Sequence, residues 1–504
     1  MQGHHDPDFN RGFDVVIVGA GAAGCVLARR LSESSRAPSV LLLEAGPDLR
    51  ANTPVELMDG WTIVREAYDW GYESELDARG IVRKLRRKKL VGGSSYLTRF
   101  TPRGHPADYD AWATLGNQGW GFDDLLPYFK RLESDTDFGD QPYHGQSGPM
   151  PSSRYLDFEF SPITTAAERG LEALGFPAVE DHNRPGAVGA GRMPMNSWDG
   201  IRVTTADAYL PAGYAPGNLA IRADMEVASV TLKGTSAVGV RLLDGSVVEA
   251  GWVVLAAGTY ASPAILLRSG IGPAEHLREV GISVVAELKG VGANLVDHPA
   301  IDIESVYTGA VRQAPVLHLI ATFHSAGRSS RDAPDLMLWT ADPSATAGSP
   351  ATHDVEALLL RPNGRGTVRL RSANPADAPR IELPTLRDPS DMQRLAEAYE
   401  RGMELVHRPE MKRLGADPPP RTRDDEVLEW IRANHYSVPH VVGTCAMGTR
   451  TEDGAVVDAS GRVHGIDRLS VVDASIMPDV PSGFTHIPTV MIAEKLSEQL
   501  ARLL

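Results

Sequence analysis

Three glycines and one acid near the start of the chain have the types and spacing needed to bind a dinucleotide. Gly19, Gly21 and Gly24 form the pattern G-x-G-x-x-G, and Glu44 follows twenty positions after the last of them. In such a pattern the first glycine permits a tight turn, the second lets the backbone approach a pyrophosphate, and the third lets a helix pack closely against a strand. A carboxylate at Glu44 accepts hydrogen bonds from a ribose diol and repels a 2′-phosphate, which favours NAD or FAD over NADP. The pattern leaves open which of these two dinucleotides is bound.

The residues around this motif predict the strand, helix and strand that a dinucleotide site requires. Residues 14–18 are an almost entirely apolar, β-branched run, typical of a strand buried on both faces of a parallel sheet. Residues 22–32 predict a helix whose free N–H groups and positive dipole end face the phosphates. A second apolar run at 39–43 delivers Glu44 to the carboxyl end of its strand. We therefore interpret the glycines as a dinucleotide-binding turn rather than an ordinary turn between a strand and a helix.

The composition is that of a soluble globular protein without affinity for nucleic acid. The chain has 504 residues, of which 42% are hydrophobic and 23% charged, enough for about two to four domains. Its net charge of −15 argues against a nucleic-acid partner. No apolar run approaches the roughly eighteen residues needed to span a bilayer, and residues 1–11 are too polar for a signal peptide, so we expect no membrane partner and a cytoplasmic location. Cys25 and Cys445 are the only cysteines, so no disulfide framework is expected.

Two neighbouring segments offer groups that bind anions. Residues 83–89 are a basic run, R-K-L-R-R-K-K, and we interpret it as a solvated edge rather than a polyanion site. Directly after it, residues 92–95 read G-G-S-S and offer backbone N–H groups and hydroxyls to a phosphate or to a flat polar ring. By itself this second pattern is also that of a simple turn.

The remaining chain predicts an α/β fold in which a discontinuous nucleotide-binding unit accompanies a second, antiparallel sheet. Further helices are expected within 109–133, where two are joined by 116–121, and at 162–174, 389–406, 424–434 and 487–503. Strand-like runs are expected within 219–255, within 302–420 and at 469–473. One more helix is expected to begin at Ser262-Pro263, with proline in its first turn. The Pro-, Ala- and Asp-rich loops of 302–420 indicate a lobe that shapes a substrate cavity.

Six blocks of sequence, spread over almost the whole chain, occur in an order that is more specific than any single block. They are 19–24 with 44–46, 91–95 with 103–104, 258–263 with 266–267 and 269–273, 292–299, 440–448, and 472–478. In these blocks the chain resembles the glucose–methanol–choline (GMC) oxidoreductase family, and within that family the bacterial oxidases of small aromatic primary alcohols. The resemblance implies oxidation of an alcohol by hydride transfer to the flavin N5 of FAD, followed by reoxidation by O₂ or another acceptor.

The resemblance also implies how the chain is divided. A Rossmann-like FAD-binding domain is expected to combine residues 12–155, 216–300 and 456–504. A substrate-side segment is expected at 156–215, and a substrate-binding domain with an antiparallel sheet at 301–455. Leu97 stands where some relatives carry a flavin-linking histidine, so the resemblance implies that FAD is held without a covalent bond.

The residues that the resemblance places at FAD follow the same blocks. The turn at Gly19 and the acid Glu44 hold the ADP half, residues 92–95 lie along the pyrophosphate and isoalloxazine, and residues 473–474 approach the ribityl chain and the ring. The full set is Gly19, Gly21, Ala22, Ala23, Glu44, Ala45, Gly92, Gly93, Ser94, Ser95, Thr98, Val227, Ala257, Gly258, Asp473, Ala474, His486 and Pro488. Val227 and Gly258 are expected near adenine, and Thr98 stands where the family usually has asparagine. No metal site is implied.

His440 matches the catalytic base of the family. Removing a hydroxyl proton while hydride leaves the carbon needs a base with a pKa near neutrality, and imidazole supplies one. Family members often carry a second histidine or an asparagine about 44 positions later, but here that residue is Phe484, which neither accepts nor donates the proton. His440 is therefore expected to act alone or with His486. His486 can equally be a histidine beneath the flavin domain whose hydrogen bonds are satisfied by the protein.

The expected substrate contacts are Tyr96, Phe484 and the neighbours His435 and Tyr436. The leading hypothesis is an FAD-dependent oxidase of a small aromatic or heteroaromatic primary alcohol that passes its electrons to O₂. Two alternatives are the same dehydrogenation with a different acceptor, and a hydroxynitrile lyase in which FAD is structural and histidine performs acid–base cleavage. A flavin-binding protein without catalysis is a third. No motif identifies the alcohol or the oligomeric state.

Overall fold

The computed structural model describes residues 12–58, 67–77, 80–154, 161–198, 201–311, 318–344, 350–383, 386–421, 423 and 426–504, and it has the expected α/β fold. Its helices are α1 (Ala22–Ser32), α2 (Val55–Met58), α3 (Pro106–Thr114), α4 (Phe122–Leu132), α5 (Pro162–Ala173), α6 (Thr205–Tyr209), α7 (Gly258–Arg268), α8 (Ala274–Glu279), α9 (Pro389–Val406), α10 (Pro409–Arg413), α11 (Val427–Asn434) and α12 (His486–Leu503). Its strands are β1 (Phe13–Val18), β2 (Val40–Leu43), β3 (Tyr72–Glu73), β4 (Lys84–Leu85), β5 (Glu133–Asp135), β6 (Met150–Ser152), β7 (Ala178–Val179), β8 (Ala190–Arg192), β9 (Ser197–Trp198), β10 (Ile201–Arg202), β11 (Leu219–Arg222), β12 (Val227–Lys233), β13 (Ser236–Leu242), β14 (Val247–Leu255), β15 (Ile271–Gly272), β16 (Ala286–Glu287), β17 (Pro299–Tyr307), β18 (His318–Phe323), β19 (Leu336–Ala341), β20 (Ala351–Leu359), β21 (Thr367–Arg369), β22 (Arg380–Glu382), β23 (Ala416–Asp417), β24 (Tyr436–Ser437) and β25 (Leu469–Val471).

The first sheet carries the glycine motif and is assembled from three distant parts of the chain. Its strand order is β11-β2-β1-β14-β13-β12, and β25 also pairs with β14. The strands around β1 run parallel, and Val16 lies opposite Leu41 on one side and Val253 on the other. All three side chains are fully buried, as the apolar runs predicted for strands covered on both faces.

The second sheet is mostly antiparallel and borders a cavity that the first sheet borders on the other side. Its order is β23-β17-β20-β19-β18-β8-β7, and β24 pairs with β17. Residues along β17 alternate between buried and exposed, because one face of the sheet is covered and the other is open. The long helix α9 covers the buried face, where Leu395 and Met403 share one hydrophobic core with Ile303 and Val355. A side chain at Gly402 would meet Ile303 at 2.5 Å, so this glycine lets the helix approach the sheet closely.

Helix α7 corrects one expectation from the sequence. It begins at Gly258 rather than at Ser262, so Pro263 lies inside the helix instead of in its first turn. Proline has no N–H for the carbonyl four residues earlier, which here belongs to Thr259. The hydroxyl of Thr444 donates to that carbonyl at 2.6 Å and replaces the missing bond. A partner from a distant segment therefore makes the proline tolerable, and no local pattern could have shown it.

The other helix predictions fit the structure closely. The expected pair within 109–133 is α3 and α4, and the expected helix at 389–406 is α9. Helix α11 covers 427–434 of the expected 424–434, and residues 424 and 425 lie outside the described residues, as do residues 1–11. Within the described part of the chain, none of the helices is both long enough and apolar enough to cross a bilayer.

A buried network of charges ties together the segment between residues 103 and 181. The two ring nitrogens of His144 lie 2.7 Å from a Glu133 oxygen and 2.9 Å from an Asp181 oxygen. Arg154 bridges Asp135 and Asp181 at 2.5 and 2.6 Å, and Arg103 is paired with Glu133. The acids Glu133 and Asp135 with His144 are close enough to ligate a metal. The two arginines already supply the positive charge that such an ion would bring, so we assign the cluster a structural role.

Candidate active site

A cavity of about 640 Å³ lies between the two sheets and reaches from the glycine motif to His440. Val18, Leu43 and Ala256 line it, and these residues stand at the carboxyl ends of β1 and β2 and just beyond β14. Ligands of open α/β sheets bind in the crevice at this edge of the strands. Trp339 and Glu356, on β19 and β20 of the second sheet, line the same cavity.

The glycine motif is shaped to receive a diphosphate. A side chain at Gly24 would lie 1.9 Å from the carbonyl oxygen of Gly19, so the third glycine allows α1 to pack against the turn. At Gly21 a side chain would meet no atom within 4 Å, because this position faces the open cavity. Gly93 lies so close to Gly21 that its own Cβ would be 2.8 Å from the Cα of Gly21. The turn containing Gly93, Ser94 and Ser95 thus lies against the dinucleotide turn, as expected if both contact one diphosphate.

Glu44 is held rigidly at the position expected for a ribose contact. One carboxylate oxygen accepts from the backbone N–H of Ala20 at 2.8 Å, and the other accepts from that of Gly46 at 3.0 Å. The side chain lines the cavity, and burial raises its pKa to about 7. A carboxylate fixed in this way keeps lone pairs for the hydroxyls of a ribose.

Asp473 joins two cofactor-side segments that are far apart in sequence. One of its oxygens accepts from the Gly258 N–H at 2.8 Å and from the Ser262 hydroxyl at 2.6 Å, and the other accepts from the Ser475 N–H at 2.8 Å. These bonds fix the start of α7 beside the segment that follows β25. Gly258 and Ala474 are thereby brought to one cavity wall. The buried carboxylate of Asp473 thus links two of the recognised blocks, 258–263 and 472–478.

His440 lies at the other end of the cavity. Its backbone N–H donates to Asp297 at 2.9 Å, and its Nδ1 lies 3.1 Å from Nδ1 of His298. Burial lowers the pKa of His440 well below its ordinary value, and the nearby charge of Arg87 acts in the same direction. The imidazole is therefore neutral at pH 7, which is the protonation state of a base ready to accept a proton.

Aromatic rings surround the His440 end of the cavity. The Phe484 ring lies 4.6 Å from that of His440, and Phe100 lies 5.5 Å from Phe484 and 5.0 Å from Trp339. The loop that carries Phe484 is held in place because Asp108 accepts from the backbone and the hydroxyl of Ser482 at 2.8 and 2.6 Å. These rings give the cavity flat apolar walls that suit a planar substrate.

The structure brings most of the expected site residues to this one cavity. They are Gly19, Gly21, Ala22, Ala23, Glu44, Ala45, Gly93, Ser94, Ser95, Thr98, Val227, Ala257, Gly258, His440, Asp473, Ala474, Phe484 and His486, together with Tyr436. Burial lowers the pKa of His486 to about 4, and its Nε2 forms no hydrogen bond with any residue that the structure describes. His486 is thus a neutral imidazole that faces the cofactor side of the cavity.

Four expected residues lie outside the cavity lining: Gly92, Tyr96, His435 and Pro488. The ring of Tyr96 packs behind the glycine turn, where a Cβ on Gly92 would meet it at 2.6 Å. The ring of His435 faces the end of α11, with Nδ1 3.2 Å from the carbonyl of Ile431. Both side chains support neighbouring elements in this structure.

The basic run corrects a second expectation, that of a solvated edge. Lys88 is only 5% exposed and donates to the carbonyl of Ala67 at 2.6 Å. Arg87 and Lys89 line the cavity, and Lys89 forms an ion pair with Glu226 at 2.8 Å. The position of the run in the sequence could have indicated its contact with the cavity, because the run directly precedes the glycine turn that enters the cavity.

Other cavity residues carried no pattern that sequence analysis could interpret. Trp339 and Glu356 lie opposite each other on β19 and β20, and Asp297 and His298 lie behind His440. Residues 297–298 belong to one of the six recognised blocks, but their types alone did not indicate what they do. The pairing of β17 with β24 shows that these two residues support His440.

Both the fold and the site define a flavin-dependent oxidoreductase, and the chain belongs to the GMC oxidoreductase family. The two family models, for the N-terminal and C-terminal parts, match residues 13–300 and 362–493. A 5-(hydroxymethyl)furfural oxidase of Methylovorus sp. (strain MP688) is 35% identical and covers 97% of this chain and 98% of its own length. An oxygen-dependent choline dehydrogenase of Photobacterium profundum is 32% identical, and the match covers 97% of this chain and 93% of the length of that dehydrogenase. The crystal structure of pyridoxine 4-oxidase from Mesorbium loti superposes with a TM-score of 0.89 at 32% identity, covering 96% of this chain and 98% of that one.

The cofactor of this enzyme is FAD, and the cavity fits it. The fixed carboxylate of Glu44 suits an adenosine ribose, the open face of Gly21 suits a diphosphate, and the neutral imidazole of His440 suits a reacting ring system. The chain is thus an FAD-dependent enzyme that acts on alcohols.

Proposed function

We propose that this enzyme oxidises a small aromatic or heteroaromatic primary alcohol to the aldehyde, with His440 as the general base and O₂ as the electron acceptor. The observation that carries the proposal is the neutral, half-buried imidazole of His440 on a cavity wall whose neighbouring surfaces are the rings of Phe484, Phe100 and Trp339. Two of the relatives are named for oxidation of a furan and of a pyridine that carry hydroxymethyl groups. Their names support the same substrate class here.

In the proposed reaction His440 removes the hydroxyl proton of the alcohol. Its Nδ1 is engaged with His298, so Nε2 is the nitrogen that can accept this proton. Bound FAD supplies flavin N5 as the acceptor of the hydride that leaves the alcohol carbon. The ring of Phe484 covers one side of the base and excludes water there, and it cannot take part in proton transfer itself. Gly21 and Glu44 would hold the nucleotide end of FAD and Asp473 its ribityl side, so that the reacting carbon and the base meet in one place.

O₂ is proposed as the acceptor because of what the relatives are named for. Two are named as oxidases, and a third is named an oxygen-dependent dehydrogenase. A different acceptor is the nearest alternative, and it leaves the roles of His440 and FAD unchanged.

The test is a panel of alcohols assayed in air with the FAD-loaded enzyme. Hydrogen peroxide and aldehyde are measured for benzyl alcohol, 5-(hydroxymethyl)furfural, pyridoxine, choline and glucose. We expect peroxide and aldehyde in equal amounts from at least one of the three aromatic alcohols, and a loss of roughly 10²-fold or more in the His440→Ala variant. His324→Ala, a change at a partly exposed histidine outside the cavity, is the matched control. Aldehyde without peroxide would overturn O₂ as the acceptor, and activity restricted to choline or glucose would overturn the substrate class.

A further inference from the structure

The segment that carries His440 runs beside the segment that carries His298. The Val438 N–H donates to the carbonyl of His298 at 3.0 Å, and the Val442 N–H donates to that of Val296 at 3.1 Å. Between these two bonds, one oxygen of Asp297 accepts from the N–H groups of His298 and His440 at 2.8 and 2.9 Å. The backbones of the two histidines are therefore clamped side by side by a single buried carboxylate.

The clamp brings the two imidazole rings into direct contact. Their Nδ1 atoms are 3.1 Å apart and their planes meet at 81°. Burial lowers the pKa of both groups, to about 4 for His298, so both rings are neutral at pH 7. Two neutral ring nitrogens at this distance must share one proton, with one ring donating and the other accepting.

The surroundings of His298 favour His440 as the donor. The backbone carbonyls of Leu360 and Pro481 act on the His298 ring, and a carbonyl can only accept. Nε2 of His298 makes no hydrogen bond within the part of the chain that the structure describes, but these carbonyls favour a proton on it over a lone pair, and His298 then keeps a lone pair on Nδ1. The charges near the two rings agree with this neutral form. Arg361 opposes protonation of His298, and Arg87 opposes that of His440.

From this contact, and on the basis of the proposed role of His440, we propose that His298 is a positioning residue that fixes the tautomer of His440. Nδ1 of His440 carries the proton and donates it to His298, so the lone pair of Nε2 faces the cavity. The opposite tautomer would place an N–H where the alcohol hydroxyl arrives and could not accept its proton. During the reaction the hydroxyl proton moves to Nε2, and the resulting imidazolium keeps its Nδ1–H bond to His298.

The test compares two substitutions of similar size at His298. In His298→Asn the amide oxygen takes the place of Nδ1 and can still accept from His440, whereas His298→Leu has no acceptor. With the FAD-loaded enzyme and an alcohol that it oxidises, we expect His298→Leu to lower the rate constant of anaerobic flavin reduction by at least about tenfold, because the tautomer is no longer fixed. We expect His298→Asn to retain most of the rate, and both variants to keep the dissociation constant of the alcohol within about threefold.

Two further readouts separate this role from a structural one and from failure of the proposed function. FAD content and the midpoint of thermal unfolding should be alike for His298→Asn and His298→Leu, since the side chain at position 298 does not contact the nucleotide end of the cavity. In a His440→Ala background, replacing His298 by leucine should have no additional effect on flavin reduction. A full additional effect there, or equal rates for the asparagine and leucine variants, would overturn the proposal. If His440→Ala itself reduced the flavin at the wild-type rate, the proposed base would fail instead.

Discussion

Gly21 and Gly24 belong to one motif but are required for different reasons. A methyl group on Gly24 would lie 1.9 Å from a backbone oxygen, while one on Gly21 would extend into the open cavity. We expect Gly24→Ala to destabilise the apoprotein by about 1–3 kcal/mol through overpacking. Gly21→Ala should leave apoprotein stability unchanged and weaken FAD binding by at least about tenfold, because the methyl obstructs the pyrophosphate. Thermal unfolding of the apoproteins and FAD titration would measure both. Equal loss of stability in the two variants would contradict this division.

Trp339 provides a test of the proposed preference for flat substrates. Its ring packs with Phe100 and Phe484, and its indole N–H donates to His318 at 2.8 Å. Trp339→Leu removes one wall of the aromatic cavity, so we expect the KM for an aromatic alcohol to rise about tenfold with kcat little changed. Steady-state kinetics would test this, with Trp198→Leu as the control because Trp198 is 58% exposed. A fall in kcat at constant KM would assign Trp339 to the chemical step instead.

At the scale of elements, α7 depends on a bond from outside the helix. Thr444→Val would leave the carbonyl of Thr259 without its donor at a helix position where Pro263 supplies none. We expect a loss of about 1–3 kcal/mol in stability. In a Pro263→Ala background the helix regains its own donor, so the same Thr444→Val change should cost clearly less. Thermal unfolding of the four proteins would measure the coupling. Additive effects would show that the two residues act independently.

The buried charge network around His144 makes the stability of its segment depend on pH. Burial opposes protonation of His144, but its hydrogen bonds to Asp181 and Glu133 outweigh burial and raise the pKa. Burial also opposes ionisation of Glu133 and Asp181, but their bonds to Arg103, Arg154 and His144 outweigh it and lower both pKa values to about 2. Both acids therefore stay ionised.

A histidine with a raised pKa in the folded state stabilises the protein fully below its unfolded pKa of about 6.5, and the benefit disappears as pH rises through the folded pKa. The destabilisation caused by His144→Gln should therefore be largest below this pH and shrink at alkaline pH. Thermal midpoints of the wild type and the variant across that range would show it. A difference that grows with pH would contradict the charged state of His144.

At the scale of the whole molecule, the sequence predicted the elements whose information is local. The strand, turn and helix at Gly19 are encoded within one short segment, so their bounds agree with the structure almost residue by residue. The same holds for α9, whose apolar positions repeat at the helical period and whose first turn is capped by Asp388. The assignment of FAD came from the family resemblance of the six ordered blocks, because the glycine motif alone left NAD and FAD open.

What the sequence could not show are the contacts made between distant segments. His298 lies 142 positions before His440, and the two meet only because β24 pairs with β17. The start of α7 depends on Thr444 in the same way. The residues 87–89 looked like a solvated run because charge alone does not indicate which side of a segment faces a cavity. In each case the deciding information is a pairing between strands or loops that no local pattern contains.

The most direct measurement for this enzyme is the anaerobic reduction of its flavin by one aromatic primary alcohol, compared with the same alcohol deuterated at the carbinol carbon. We expect rapid loss of the oxidised flavin absorbance, slower with the deuterated alcohol because that hydrogen is transferred, and slower by roughly 10²-fold or more in His440→Ala because the base is missing. A flavin that dithionite reduces but no alcohol reduces, together with cleavage of a cyanohydrin, would contradict alcohol oxidation and identify the flavin as structural.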